Sequence, residues 1–319
     1  MNPFVFVHIP KTAGTSFRIG ADAYWGRARV CRDYGPKSPE TSEIVNKWLV
    51  ETPDKWKFKK AFVQEGYEFL TGHIRAIDYA PIFGVGRMVT FVREPLQRIV
   101  SEFKHVVRHY GYKGDFTKFY RAPHNINRQH RALAGIPWPA IGFIGLTERY
   151  TESLNLFNQK YDVGIPGRQE NRGRADINVG YELPLEQETE LRKLNAADIR
   201  LYEEISAQFE WRLRLVDSEI GFVTGLINKL DNGLLYGWAL ADQGDDPVLV
   251  QARAGGEVIG EALANQYRPG LREKGVGRGG FVGFSIDIGR LKGGEKVECV
   301  VASTGQPLVH SPWTVHAGD

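Results

Sequence analysis

Cysteine is almost missing from this 319-residue chain: Cys31 and Cys299 are the only two. Two thiols so far apart give no disulfide framework. No Cys-x-x-Cys occurs and the eight histidines read as scattered, so no metal is implied. No charge-free apolar run is long enough to cross a bilayer, so no transmembrane segment is expected. The N-terminus enters an apolar strand without the basic–apolar–small pattern of a secretory signal, which predicts a cytoplasmic protein. A large charge excess is missing too. The net charge is +3, and no long basic run, zinc-finger spacing or RNA-recognition motif appears, which argues against a nucleic-acid partner.

What is present is ordinary globular composition, 42% hydrophobic and 25% charged, in a chain long enough for two domains. Residues 220–319 carry 9 Lys/Arg against 11 Asp/Glu, and the remainder 32 against 27. The basic excess thus lies in residues 1–219, where it favours anionic ligands. Residues 1–216 alternate strand-like and helix-like stretches, which predicts an α/β fold on a mainly parallel sheet. Residues 41–50 read as a short helix. Residues 196–215 read as a long amphipathic one with Ile199, Tyr202, Ile205, Phe209 and Leu213 inward. From 220 to 319 glycine becomes frequent and helical periodicity stops. Strands are predicted over 222–230, 233–240, 247–254, 257–262, 280–288 and 296–303, with a hairpin turn at Ala254-Gly255-Gly256-Glu257. That set describes a smaller all-β, β-sandwich-like domain.

The chemistry sits in two loops. Phe4-Val5-Phe6-Val7-His8 is a short buried strand. It runs into Ile9-Pro10-Lys11-Thr12-Ala13-Gly14-Thr15-Ser16, with a helix expected from Thr15 or Ser16. Small residues, free N–H groups at a helix start and one lysine make an anion cradle. It is not a Walker A loop, because the lysine precedes the glycine and no hydroxyl follows a Gly-Lys pair. The second loop follows the strand Arg87–Val92. Arg93 stands at that strand's C-terminal end, Pro95 opens a helix, and Ser101 lies about two turns in. Leu96, Ile99, Val100 and Phe103 give this helix its buried stripe. Ligands of open parallel sheets bind at the strands' carboxyl ends, and an arginine there offers a planar fork to phosphate.

Pro-Lys-Thr-Ala-Gly-Thr-Ser resembles the 5′-phosphosulfate loop of sulfotransferases that use 3′-phosphoadenosine-5′-phosphosulfate (PAPS). Val-Arg-Glu-Pro-Leu-Gln-Arg-Ile-Val-Ser resembles their 3′-phosphate motif, an arginine with a serine eight residues on. Leu70-Thr71-Gly72-His73 resembles the Gly-His segment of the carbohydrate 2-O-sulfotransferase branch, sulfotransferase family 2. There the histidine is the proposed general base, a role suited to imidazole. Uronyl 2-O-sulfotransferases have a second histidine where this chain has Thr71. Segments 127–135, 144–157 and 198–203 also look like the family, so the resemblance spans about two thirds of the chain.

The resemblance implies a P-loop-like three-layer domain over residues 1–216. Lys11, Thr12, Ala13, Gly14, Thr15 and Ser16 would hold the 5′-phosphosulfate. Arg93 and Ser101 would hold the 3′-phosphate, and Lys11 and His73 would be catalytic. A polar loop over 168–179, with Arg168, Arg172 and Arg174, would close on the donor. The implied reaction moves a sulfuryl group from PAPS to a carbohydrate hydroxyl, on an oligo- or polysaccharide or glycolipid, leaving 3′-phosphoadenosine-5′-phosphate. A bacterial enzyme fits a cytoplasmic chain. Residues 220–319 look like a small β-domain appended to bacterial glycan-modifying enzymes, an accessory module for glycan binding, partner docking or homo-oligomer formation. Two alternatives stay open: another P-loop nucleotide kinase or NTPase, which predicts Mg²⁺-dependent ATP binding, and a non-catalytic PAPS- or glycan-binding protein.

Overall fold

A computed structural model describes residues 3–167, 181–218, 221–289 and 291–316. The predicted loop at 168–179 lies outside them. The chain divides into two compact units, one of residues 1–83, 87–136 and 141–206, the other of 84–86, 137–140 and 207–319. The division falls inside a helix.

The first unit is built on five parallel strands: β1 (Phe4–Val7), β2 (Val30–Asp33), β3 (Phe69–Gly72), β4 (Met88–Val92) and β5 (Phe143–Leu146). Their spatial order is β2-β3-β1-β4-β5. Its helices are α1 (Gly14–Trp25), the short α2 (Glu43–Val45), α3 (Lys55–Gln64), α4 (Ala76–Phe83), α5 (Pro95–Tyr110), α6 (Phe116–Arg121), α7 (Arg128–Leu133), α8 (Tyr150–Tyr161) and α9 (Leu185–Leu194). The long helix α10 (Ala196–Leu215) crosses the division. The helix predicted over 41–50 is α2 continued by a π-turn over Asn46–Glu51.

In-register parallel pairing sorts the side chains into two faces. Phe4, Phe69 and Val30 align, as do Phe6, Thr71 and Arg32, and alternation puts both rows on one face. There Phe6 meets Phe17 of α1 with ring centroids 4.8 Å apart, and Phe17 meets Phe157 of α8 at 5.3 Å. Such ring pairs add about 0.5–1.5 kcal/mol each beyond their area burial. The opposite face carries Asp33, whose carboxylate accepts from the Tyr79 hydroxyl of α4 at 2.6 Å. Helices on both faces make the three layers. The chain steps from β1 toward β2 but from β3 across to β4, so the topological switch point lies at the carboxyl end of β1.

The second unit holds β6 (Val223–Asp231), β7 (Leu234–Ala241), β8 (Leu249–Ala254), β9 (Glu257–Leu263), β10 (Gln266–Tyr267), β11 (Phe281–Asp287), β12 (Lys296–Val301) and β13 (Trp313–Thr314), with one short helix, α11 (Pro269–Glu273). They form two antiparallel sheets, β10-β11-β7-β6 and β13-β12-β8-β9. Ile227, Leu235, Phe284 and Ile286 from one sheet share a core with Val250, Ala252, Val297 and Cys299 from the other. This is a sandwich, and Ala254↔Glu257 closes the predicted Gly255-Gly256 hairpin. Cys31 in β2 and Cys299 in β12 are buried and unpaired, and burial pushes each thiol up to about 12.

On α10 the buried residues are Asp198, Leu201, Ile205 and Phe209, a stripe offset from the predicted one. Ile199 and Tyr202 sit at its margin, half-buried. The offset comes from Asp198, a carboxylate drawn inward by backbone donors described below.

Candidate active site

The loop after β1 is strained and close-packed. Lys11 and Ala13 both take left-handed backbone, with φ of 69° and 60°. Non-glycine residues seldom do so, and such strain gathers where a loop must present its N–H groups inward. The Thr12 hydroxyl is buried and donates to Ile9 O at 2.8 Å. Its proton is committed to the loop itself, so Thr12 offers an incoming anion its backbone. Ala13 is the N-cap of α1 and has no side chain to bond the first-turn N–H groups. An uncapped 12-residue helix start facing a lysine suits a phosphate or sulfate. The helix begins at Gly14, one residue ahead of expectation.

Arg93 follows the last residue of β4, and its guanidinium Nη1 donates to Lys11 O at 3.3 Å. The two predicted anion motifs, far apart in sequence, are thus joined. Lys11 is half-buried. Burial first, and then the neighbouring Arg93 charge, push its pKa below the ordinary lysine value. Burial likewise lowers Arg93. Two cations at close quarters in a partly dry site favour an anion between them. Ser101 lies half-buried on α5, and its hydroxyl makes no hydrogen bond among the described residues. No hydrogen bond joins it to Arg93.

His73 follows Gly72 at the end of β3. A Cβ on Gly72 would stand 1.8 Å from Asp33 O, so only glycine lets β2 and β3 approach here. The β1–β3 register ends at Val7↔Gly72, and His8 N still donates to Gly72 O at 2.9 Å. The next pair is therefore His8 beside His73, both on the α1 face. Their rings meet edge to face with centroids 4.8 Å apart. His8 also lies within hydrogen-bond distance of the Tyr34 hydroxyl, Nδ1 to O 3.2 Å. Gly14 makes room for it, since a Cβ there would stand 2.1 Å from the imidazole. Burial, followed by the His73, Arg18 and Lys11 charges, pushes His8 down to about 3, so it is neutral near pH 7. His73 itself is exposed to solvent. Partial desolvation and the Arg128 guanidinium lower its pKa below the usual histidine value. A neutral imidazole open to solvent near an anion cradle can accept a proton from a hydroxyl.

His8, Tyr34 and Gln129 belong to this site and were missed in the sequence. The signal for His8 was available: pairing the two apolar runs in parallel register sets the two histidines side by side. Gln129 carried none. One histidine pair also departs from the scattered pattern. His105 and His109 are four apart on α5 with ring centroids 4.6 Å apart. No group of three metal-ligating side chains accompanies them among the described residues. No described helix is long and apolar enough to cross a membrane.

Residues 1–135 match the model of the Sulfotransferase family, a span holding Lys11, His73, Arg93 and Ser101. Residues 1–135 are thus similar to the sulfotransferase family. No curated protein matches the chain. Among solved structures, the crystal structure of a sulfotransferase from Alicyclobacillus acidocaldarius is similar at 15% identity. The match covers 62% of this chain and 93% of that one with a TM-score of 0.34. The assignment as a sulfotransferase rests on the family match and on the loop residues within it.

Proposed function

We propose that this sulfotransferase takes its sulfuryl group from PAPS and delivers it to a carbohydrate hydroxyl. The observation that carries the donor assignment is the contact between Arg93 and Lys11 O, which brings two anion-binding groups to the switch point of the sheet. One group suits a 5′-phosphosulfate and the other a 3′-phosphate, the feature that separates PAPS from adenosine phosphosulfate and ATP. The residues fit such a donor: an uncapped helix start, a desolvated lysine, a half-buried arginine and a serine hydroxyl without a hydrogen-bond partner among the described residues.

When bound, the donor supplies an activated sulfuryl group. In this reading the backbone of residues 12–16 and the Thr15 hydroxyl orient the 5′ end, and Lys11 offsets the negative charge that grows on the bridging oxygen. Arg93 and Ser101 hold the 3′-phosphate. His73 takes the acceptor proton on its imidazole. His8, neutral and walled by Gly14 and Tyr34, keeps that side of the site filled. Residues 220–319 serve as an accessory module for partner docking, self-association or glycan binding. Deleting them without changing acceptor affinity or assembly would reject all three roles.

The test is calorimetric titration of 3′-phosphoadenosine-5′-phosphate without metal. Wild type should bind it, and Arg93→Ala should weaken binding by about ten- to hundredfold, as expected for losing a charged hydrogen-bond donor. Preference for ATP–Mg²⁺ over the bisphosphate would favour a kinase instead.

A further inference from the structure

Arg93 lies one residue beyond the ladder of its strand. The last pair between β4 and β5 is Val92↔Leu146. Past that point the main chain of Arg93 has no strand neighbour among the described residues, yet both of its polar groups are satisfied. Arg93 N donates to Gln129 Oε1 at 2.8 Å, and Gln129 Nε2 donates to Arg93 O at 2.8 Å. One carboxamide thus substitutes for the missing strand. Gln129 is fully buried. Its own backbone N donates to Asp198 Oδ2 at 3.2 Å, and His130 N donates to Asp198 Oδ1 at 2.7 Å. Asp198, on α10, is fully buried too, and its N donates to Asn127 Oδ1 at 3.1 Å. A second tie secures the same helix, because Arg128 of α7 and Arg98 of α5 both pair with the buried Glu102 carboxylate.

α7 is therefore bolted to α10 and to α5, and from that fixed position Gln129 grips the peptide of a single residue. We propose that Gln129, held by Asp198, is the positioning residue of Arg93. It sets the direction in which the guanidinium leaves the sheet edge, and hence the affinity for the 3′-phosphate of the donor. This rests on the reading of Arg93 as the 3′-phosphate ligand. A carboxamide suits the task because it donates and accepts at once, matching the two complementary groups of one peptide unit. Removing it leaves a donor and an acceptor unpaired in a partly buried place, and the chain relieves that by moving Arg93.

The test is a double-mutant cycle on the full-length protein, read by calorimetric titration of 3′-phosphoadenosine-5′-phosphate. Gln129→Met keeps the volume and removes both bonds. It should weaken binding by about ten- to hundredfold. In the Arg93→Ala background the same change should alter affinity by less than about twofold, because the group it positions is gone. A general loss of packing would act equally in both backgrounds. Gln129→Asn, too short to span both groups, serves the same cycle if the Met variant does not fold. Wild-type affinity in the single variant, or an undiminished effect beside Arg93→Ala, overturns the proposal. Failure of wild type itself to bind the bisphosphate overturns the donor reading, and the positioning role with it.

Discussion

The two domains use their strands in opposite ways. In the N-terminal domain all five strands run parallel, so every strand ends at the same edge of the sheet. His8, His73 and Arg93 are each the first residue past a strand. In the C-terminal sandwich neighbouring strands run antiparallel, and their ends are shared between two edges. Buried polar side chains follow the same division. His8, Thr12, Thr71, Arg98, Glu102, Gln129 and Asp198 are among many in the first domain, whereas past residue 207 Gln306 stands alone among the described residues. Parallel topology gathers polar groups at one place, and burying them there demands partners. The sandwich spends its interior on Val, Ile, Leu and Phe. One architecture concentrates chemistry, and the other supplies a surface on an apolar core.

That contrast can be broken by substitution. His73→Ala should cost the most in turnover, about a hundred- to ten-thousandfold, the usual range for a general base. Wild-type kcat/KM should rise with pH through an apparent pKa below the ordinary histidine value and then level off, because the deprotonated ring is the active form and its pKa is lowered. The His73→Ala profile should lose that limb. An unchanged limb would assign the base to another group. Lys11→Ala should lower kcat by about a hundred- to a thousandfold, with a smaller effect on bisphosphate binding. Near-normal turnover in that variant would remove the loop from the chemistry. At the other end of the scale stands Phe284→Ala, in the middle of the sandwich core. It should destabilise its own domain by about 3–5 kcal/mol, read as a lowered calorimetric transition. Affinity for the bisphosphate should stay within about twofold of wild type if the anion site draws only on the first domain's residues. A larger change would erase the division of labour.

How much of this was legible in the sequence depended on how local each feature is. The β1–loop–α1 and β4–α5 units were readable, because an apolar run, small residues and a Pro-started helix follow one another directly. The Gly255-Gly256 hairpin was readable for the same reason. β2 was not: Val30-Cys31-Arg32-Asp33 is half charged, and it is a strand because β3 pairs with it and Asp22 meets Arg32. The buried face of α10 was displaced from its apolar pattern by Asp198, whose partners lie about seventy residues upstream. In the site, the anion loop and His73 carried local motifs. His8 needed the register of two strands, and Gln129 needed the whole fold.

The two cysteines have a practical consequence. Both thiols lie inside their sheets with pKa values near 12. At neutral pH roughly one in a hundred thousand of each is thiolate, the form that reacts with maleimides and iodoacetamide. The folded protein is thus nearly silent to thiol labelling as it stands. A single cysteine introduced at an exposed position such as Tyr110 or Tyr267 would carry a spectroscopic probe without first stripping the chain of its own.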